Sequence, residues 1–204
     1  PVHIDKFYKI KDIKSLHPEA DDRYDGILLA GLREEILSGS KDKMLVVLHT
    51  STSHGPTYYK KYPPEFEVFS PVCTTVEMSK ADPKELMNAY DNTIVYTDYL
   101  IHSVIEILRG IPQRRSCVIF VSDHGESLCE GNLYMHGVPI LVAPKEQIEI
   151  PFIVWTSDEA LETDPEKKVG QYHVFHSVLS FLGIDSPVYD ESLDIFRQPE
   201  KDKN

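Results

Sequence analysis

Basic residues are scarce in this chain. Its 204 residues contain 21 lysines and arginines against 33 aspartates and glutamates, which gives a formal net charge of -12. A protein that binds nucleic acid needs a basic face to neutralise phosphates, so the composition argues against a nucleic-acid partner. It does not exclude small phosphate-bearing substrates, because a bound metal ion offsets their charge locally.

Long apolar runs and glycine-rich nucleotide motifs are also lacking. No stretch approaches the roughly 20 apolar residues that span a bilayer, and Pro1 does not open a signal peptide of the usual layout. We therefore predict that the chain as given is soluble and, since it does not begin with methionine, an excised piece of a longer protein. The sequence contains no P-loop, no Gly-x-Gly-x-x-Gly motif and no Gly-x-Ser-x-Gly nucleophile elbow.

Only three cysteines are present, Cys73, Cys117 and Cys129, and their spacing is not that of metal ligands. Cys117 lies in an apolar run, which favours a buried thiol that packs as a small hydrophobic group. With 41% apolar residues, the chain can bury one substantial core. We predict one domain over residues 1–204, with a polar tail from about Arg197.

Apolar periodicity predicts alternating helices and strands. Helices are predicted over 24–37, from a cap at Asp82 and Pro83 to Gly110, and over 172–182, and strands over 44–49, 117–122 and 152–155. The polar, proline-rich stretch 51–81 is too long for a simple connection and indicates a functional loop. This alternation predicts an α/β fold with a mostly parallel sheet flanked by helices on both faces, in which ligands bind beyond the carboxyl ends of the strands.

Two residues of types that bind metals directly follow the predicted strand 117–122. Asp123 and His124 supply a carboxylate oxygen and an imidazole nitrogen, which suit zinc. Glu126 adds a second carboxylate, and His136 returns in a glycine-bounded loop, while His54 follows the strand over 44–49. The alternative is that these residues only shape turns, since a histidine beside glycine and proline is common there.

Several motifs resemble a known family. They are Ser53-His-Gly-Pro-Thr-Tyr-Tyr59, Tyr62-Pro-Pro64, Tyr90-Asp-Asn-Thr93, Val121-Ser-Asp-His-Gly-Glu-Ser-Leu128, Tyr134-Met-His-Gly137 and Ala143-Pro144. In this order they resemble the catalytic domain of bacterial phosphoethanolamine transferases, in the sulfatase-like branch of the alkaline phosphatase superfamily. The resemblance runs from about Tyr24 to Asp194.

The resemblance implies a catalytic domain on the periplasmic face of the bacterial inner membrane, tethered by N-terminal transmembrane helices. It implies that a zinc-activated threonine takes phosphoethanolamine from phosphatidylethanolamine and passes it to lipid A or another surface acceptor. By position, Asp123 and His124 resemble ligands of the catalytic zinc. His54 and His136 resemble the pair that contacts the transferred phosphate or holds an additional zinc, and Glu126 resembles an acidic residue of the pocket.

Two departures from the family qualify this expectation. The family's threonine nucleophile and another acidic ligand precede the predicted helix at Tyr24, and the 23 residues before it contain no threonine. We therefore expect the chain to be an incomplete C-terminal portion of the domain that is inactive alone. The family often pairs a cysteine at the position of Cys73 with one about ten residues on, where Pro83 stands.

Other functions remain open from the sequence. A sulfatase, a phosphodiesterase or a phosphoglycerol transferase is compatible with the same scaffold, because fold does not fix the substrate. A metal-free chain that acts only as an interaction module is the alternative from another class.

Overall fold

One long helix forms the centre of the chain. The structure is a computed structural model that describes residues 4–196. Its α-helices are α1 (Ile10–Leu16), α2 (Leu32–Ser38), α3 (Pro83–Arg109), α4 (Lys145–Ile148) and α5 (Tyr172–Phe181), and its strands are β1 (Cys117–Val121) and β2 (Phe152–Thr156). Short 3₁₀ helices cover Asp25–Leu29, Tyr58–Lys60, Pro64–Phe66, Met78–Lys80, Glu130–Asn132 and Glu191–Leu193. The predicted polar tail from Arg197 lies outside the described residues.

The start and end of α3 follow from its sequence. The Asp82 carboxylate accepts hydrogen bonds from the backbone N–H groups of Lys84 and Glu85, and Pro83 occupies the first helical position, where no N–H donor is needed. Gly110 caps the other end. The helix predicted between these signals is confirmed. None of the described helices is both long enough and apolar enough to cross a membrane.

The long segment 51–81 is packed against α3. Tyr58, Cys73 and Met78 form a buried cluster with Leu86 and Ala89 of the helix. Asn92 of α3 is fully buried, and its side-chain oxygen accepts hydrogen bonds from the backbone N–H groups at 68 and 69, while its amide donates to the carbonyl of residue 69. This segment is therefore held in place by side chains of α3, although it contains only short 3₁₀ helices.

The sheet differs from the prediction. The two paired strands of the described chain are antiparallel, with Cys117 opposite Thr156 and Val121 opposite Phe152. Parallel pairing needs a long crossover, usually a helix, but between Val121 and Phe152 the only α-helix is the four-residue α4. The predicted parallel sheet flanked by helices is not seen in residues 4–196.

The run 44–49 forms no regular secondary structure and pairs with no strand among the described residues. Its Leu45 and Val47 side chains are exposed, the latter by 77%. The valine and leucine content typical of a buried strand is therefore present without the partner strands that would bury it.

The helix predicted over 24–37 is interrupted. Residues Asp25–Leu29 form a 3₁₀ helix, and Gly31 adopts a left-handed backbone with φ 69° before α2 begins at Leu32. A left-handed residue stops α-helical hydrogen bonding, and glycine adopts it at little cost. The apolar pattern of the sequence continues across Gly31 and therefore does not reveal the break in the helix.

Candidate metal centre

Glu126 and His136 are brought together by a two-residue bridge. The backbone N–H and carbonyl of Ser127 exchange hydrogen bonds with those of Met135, both at 2.8 Å. Because Glu126 and His136 directly flank this pair, the bridge places their side chains side by side. Met135 has a left-handed backbone with φ 62°, a strained conformation for a residue with a side chain.

Helix α4 supports the turn that carries His124. The N–H of Gly125 donates to the carbonyl of Gln147 at 3.1 Å. A Cβ on Gly125 would lie 1.9 Å from the carbonyl oxygen of Glu146, so only glycine fits this approach. The buried Gln147 side chain also donates to the Ser127 hydroxyl at 2.9 Å. The same short helix therefore holds both the turn and the bridge.

Asp123 and His124 follow the end of β1, as predicted. The side-chain amide of Gln171 donates to the carbonyls of Ser122 and Asp123 at 2.9 and 2.6 Å and fixes the backbone there. The Asp123 carboxylate is 80% exposed, and its Oδ2 lies 3.6 Å from the His124 Nε2. Asp123 is thus adjacent to the imidazole and open to the solvent.

His54 is held by interactions of the residues before it. The buried Asp25 carboxylate accepts hydrogen bonds from the Ser51 N–H and the Thr52 hydroxyl, both at 2.6 Å. The Ser53 hydroxyl lies 2.9 Å from that of Thr93 on α3. These hydroxyl groups stabilise the loop that carries His54.

The imidazole rings of His54, His124 and His136 lie close together. The ring centroid of His136 lies 3.8 Å from that of His124 and 5.5 Å from that of His54. One ligand atom from each of His124, Glu126 and His136 lies within 4.8 Å of the others, a separation compatible with one metal ion after small side-chain movements. The structure thus groups all the predicted site residues, with Asp123 at the exposed edge.

The same nitrogen of each ring has an acceptor. Nδ1 of His54 lies 2.8 Å from the Gly55 carbonyl, Nδ1 of His124 lies 3.0 Å from the Gly125 carbonyl, and Nδ1 of His136 lies 2.6 Å from Glu126 Oε1. A proton held on Nδ1 leaves the lone pair on Nε2, the arrangement that is typical of histidines that bind metals. The nitrogen and carboxylate donors of this site fit zinc.

The Glu126 side chain is buried, whereas the resemblance implied only an acidic residue of the pocket. Its side chain is only 5% exposed, and its second oxygen, Oε2, accepts a hydrogen bond from the Tyr58 hydroxyl at 2.7 Å. Burial, followed by the contact with Glu126, raises the pKa of Tyr58 well above its usual range, so the hydroxyl keeps its proton. Sequence reasoning assigned Tyr58 no role, since no local pattern links it to a carboxylate 68 residues away.

Three further histidines lie on helices. His102 is on α3, and His173 and His176 are on α5, as predicted.

Among the described cysteines, Cys73 is free and buried, and Cys117 is free with a thiol whose pKa is raised by burial to about 12.

Known proteins resemble the chain over most of its length. The phosphoethanolamine transferase EptA of Helicobacter pylori is 41% identical over 190 residues, which are 90% of this chain and 36% of that protein. The solved C-terminal periplasmic domain of EptC from Campylobacter jejuni has a TM-score of 0.79 and 39% identity, over 86% of this chain and 58% of that one. The soluble domain of lipooligosaccharide phosphoethanolamine transferase A from Neisseria meningitidis has a TM-score of 0.82 and 35% identity, over 92% and 62%.

These coverages mean that the chain spans about a third of the curated relative and about three fifths of the two solved domains. The family model named Sulfatase matches residues 3–184. This match includes all the residues of the candidate metal centre, and the chain therefore belongs to the sulfatase family.

Proposed function

We propose that the protein containing this chain transfers phosphoethanolamine from phosphatidylethanolamine to lipid A or another cell-surface acceptor. The observation that carries the proposal is the convergence of His54, His124 and His136 beside Glu126. The names of two similar proteins support the proposal. EptA is a phosphoethanolamine transferase, which supports the transferred group, and lipooligosaccharide phosphoethanolamine transferase A supports a lipid-linked saccharide as the acceptor.

Zinc is the proposed cofactor, and Asp123 and His124 are its proposed ligands. His124 presents a free Nε2, and the Asp123 carboxylate lies 3.6 Å from that nitrogen on the solvent side. Nitrogen and oxygen donors in this combination suit zinc. When bound, zinc would supply a Lewis acid for the phosphoryl oxygens and lower the pKa of a coordinated hydroxyl group.

His54 and His136 are proposed to act on the phosphoryl group. Their rings are close enough for both Nε2 atoms to face one phosphate, and a ring that is protonated on Nε2 as well as on Nδ1 donates an N–H group that stabilises charge developing on a phosphoryl oxygen. A protonated ring can also give its proton to the departing alcohol. Glu126 completes this side of the pocket from behind His136.

The transfer is proposed to proceed in two displacements. A threonine hydroxyl attacks the phosphorus of phosphatidylethanolamine, and diacylglycerol leaves with a proton. An acceptor oxygen then attacks the phosphorus of the phosphoethanolamine-threonine ester. The bond from phosphorus to the threonine oxygen breaks, phosphoethanolamine passes to the acceptor, and the threonine oxygen regains a proton. We place this threonine outside the chain, because the family resemblance puts it before residue 24 and residues 1–23 contain no threonine. The hydroxyls of Thr52 and Thr93 are engaged in structural hydrogen bonds.

We also propose that the chain is the C-terminal portion of a single sulfatase-like domain, whose parallel sheet includes residues 44–49. The exposed Leu45 and Val47 side chains and the partial coverage of the solved domains support this arrangement. The proposed location is the periplasmic face of the bacterial inner membrane, with attachment through an N-terminal transmembrane domain. The periplasmic origin of the similar EptC domain supports it.

The experiment compares His124→Ala, His54→Ala and His102→Ala in the protein at its natural length. Mass spectrometry measures phosphoethanolamine transfer from phosphatidylethanolamine to lipid A, and elemental analysis measures bound zinc. We expect His124→Ala to abolish both, and His54→Ala to lower transfer by about 100-fold with a smaller loss of zinc. His102→Ala, an exposed site on α3, is the control and should retain both.

Unchanged zinc content in the His124→Ala variant would contradict the proposed ligand. Normal zinc and normal transfer in the His54→Ala variant would make His54 a turn residue only. An aryl sulfate offered to the unmodified protein tests the sulfatase alternative, and its hydrolysis at a rate above that of lipid transfer would overturn the proposed substrate.

A further inference from the structure

A chain of hydrogen bonds runs from the core to the rim of the candidate metal centre. The Tyr58 hydroxyl donates to Glu126 Oε2 at 2.7 Å, and Glu126 Oε1 lies 2.6 Å from Nδ1 of His136. Each oxygen of this carboxylate therefore has its own partner. Solvent exposure increases from one end of this series of hydrogen bonds to the other, since Tyr58 is 1% exposed and the His136 side chain is 29% exposed.

The core fixes the position of the Tyr58 hydroxyl. The Tyr58 ring packs edge to face against Tyr90 of α3, with centroids 5.4 Å apart, and belongs to the buried cluster around Leu86. The backbone of Gly55 closes the space above the hydroxyl, because a Cβ on Gly55 would lie 2.7 Å from the Tyr58 oxygen. The hydroxyl thus has little freedom to move away from Glu126.

The carboxylate in turn fixes His136. An acceptor opposite Nδ1 keeps the proton on that nitrogen and sets the plane of the ring, which leaves Nε2 available to a metal or a substrate. Since both oxygens of Glu126 have partners, Glu126 has to give up its contact with Tyr58 or His136 before it binds a metal itself. Its geometry is that of a support behind the imidazole.

We propose that Tyr58 is a positioning residue, which holds Glu126 so that Glu126 fixes the tautomer and orientation of His136. This inference rests on the proposed function for its consequence in catalysis, but the hydrogen-bond chain itself is tested without turnover. The competing interpretation is that the Tyr58 hydroxyl only satisfies a buried carboxylate and stabilises the fold.

The central variant is Tyr58→Phe, which removes the hydroxyl and keeps the packed ring. The matched control is Tyr62→Phe. Tyr62 is also buried, and its hydroxyl accepts a hydrogen bond from the Asn92 amide at 3.2 Å, away from the histidines. A purely structural role predicts the same result for both variants.

Two readouts are measured on the protein at its natural length. Nitrogen-15 NMR of metal-free protein reports which ring nitrogen of His136 carries the proton, and phosphoethanolamine transfer from phosphatidylethanolamine reports the action of His136 on the phosphoryl group. We expect His136 to be protonated on Nδ1 in the unmodified protein and in Tyr62→Phe, and to populate both tautomers in Tyr58→Phe. We expect Tyr58→Phe to lower the transfer rate by about 10-fold, the lower end for loss of an outer partner, and Tyr62→Phe to leave it unchanged.

Glu126→Gln provides a second test if Tyr58→Phe does not fold. Replacement of the charged acceptor by an amide should shift the His136 proton toward Nε2. The inference is overturned if the His136 tautomer is unchanged in the variants that fold, or if Tyr58→Phe and Tyr62→Phe change the transfer rate equally. Absence of zinc binding by the unmodified protein would contradict the proposed function, and the tautomer measurement would still decide the role of Tyr58.

Discussion

Replacement of Gly125 by alanine should disrupt the metal centre without touching a proposed ligand. The added Cβ would lie 1.9 Å from the Glu146 carbonyl oxygen and 3.2 Å from the Cα of Gln147. A carbon and an oxygen normally stay about 3.3 Å apart, so the two backbones have to separate by roughly 1.4 Å. Both contacts are backbone atoms, which cannot move aside by a change of rotamer.

The expected loss follows from two contributions. Forced separation of packed groups costs about 1 to 3 kcal/mol. The hydrogen bond from the Gly125 N–H to the Gln147 carbonyl, 3.1 Å long, is lost as well and adds about 1 kcal/mol. We therefore expect Gly125→Ala to lower the free energy of unfolding by about 2 to 4 kcal/mol. A displacement of about 1 Å at His124 should also reduce transfer by about 100-fold.

Urea denaturation measures the first quantity, and phosphoethanolamine transfer measures the second. The control is Gly131→Asn, in the loop between Glu126 and His136. Gly131 has φ 59°, which asparagine tolerates, and no neighbouring group lies within 4 Å of the place that a Cβ would occupy. The control should change the unfolding free energy by at most about 0.5 kcal/mol. Equal unfolding free energies for Gly125→Ala and Gly131→Asn would show that the close approach does not constrain the turn.

Two further predictions concern groups outside the centre. Asp25→Ala removes the acceptor of the Ser51 N–H and the Thr52 hydroxyl and should lower the free energy of unfolding in urea by about 3 kcal/mol; Asp25→Asn, which keeps an acceptor oxygen, should lose less, and equal losses would contradict this role. The pKa of the Cys117 thiol, raised by burial to about 12, leaves about one molecule in 10,000 as thiolate at pH 8. Iodoacetamide should therefore modify Cys117 far more slowly in the folded protein than in urea, as measured by peptide mass spectrometry, and equal rates would exclude its burial.

The composition of the metal centre was predictable because its chemistry is concentrated in short motifs. Asp123 and His124 follow a recognisable apolar strand, and the structure places His54 and His136 beside them. The resemblance to a known family added the pairing of His54 with His136. Their proposed roles as ligands and as phosphate contacts remain predictions.

The support behind these residues was not predictable. Tyr58 reaches Glu126 only because segment 51–81 folds back against α3, and that long-range packing leaves no local periodicity. Likewise, an apolar run such as 117–121 identifies a strand but not the direction of its partner. The antiparallel register with 152–156 depends on the path of the whole connection between them.

The hydrogen-bonded pair Ser127 and Met135 fixes the relative position of Glu126 and His136. The length of the loop between the pair therefore has little effect on the geometry of the candidate metal centre. Residues 128–134 connect the two bridged residues without setting the distance between Glu126 and His136. Because loop-closure entropy grows slowly with length, insertions there should be tolerated when the bridge persists. A search for more distant members of the family should therefore treat the segments that carry Glu126 and His136 as separate motifs with variable spacing.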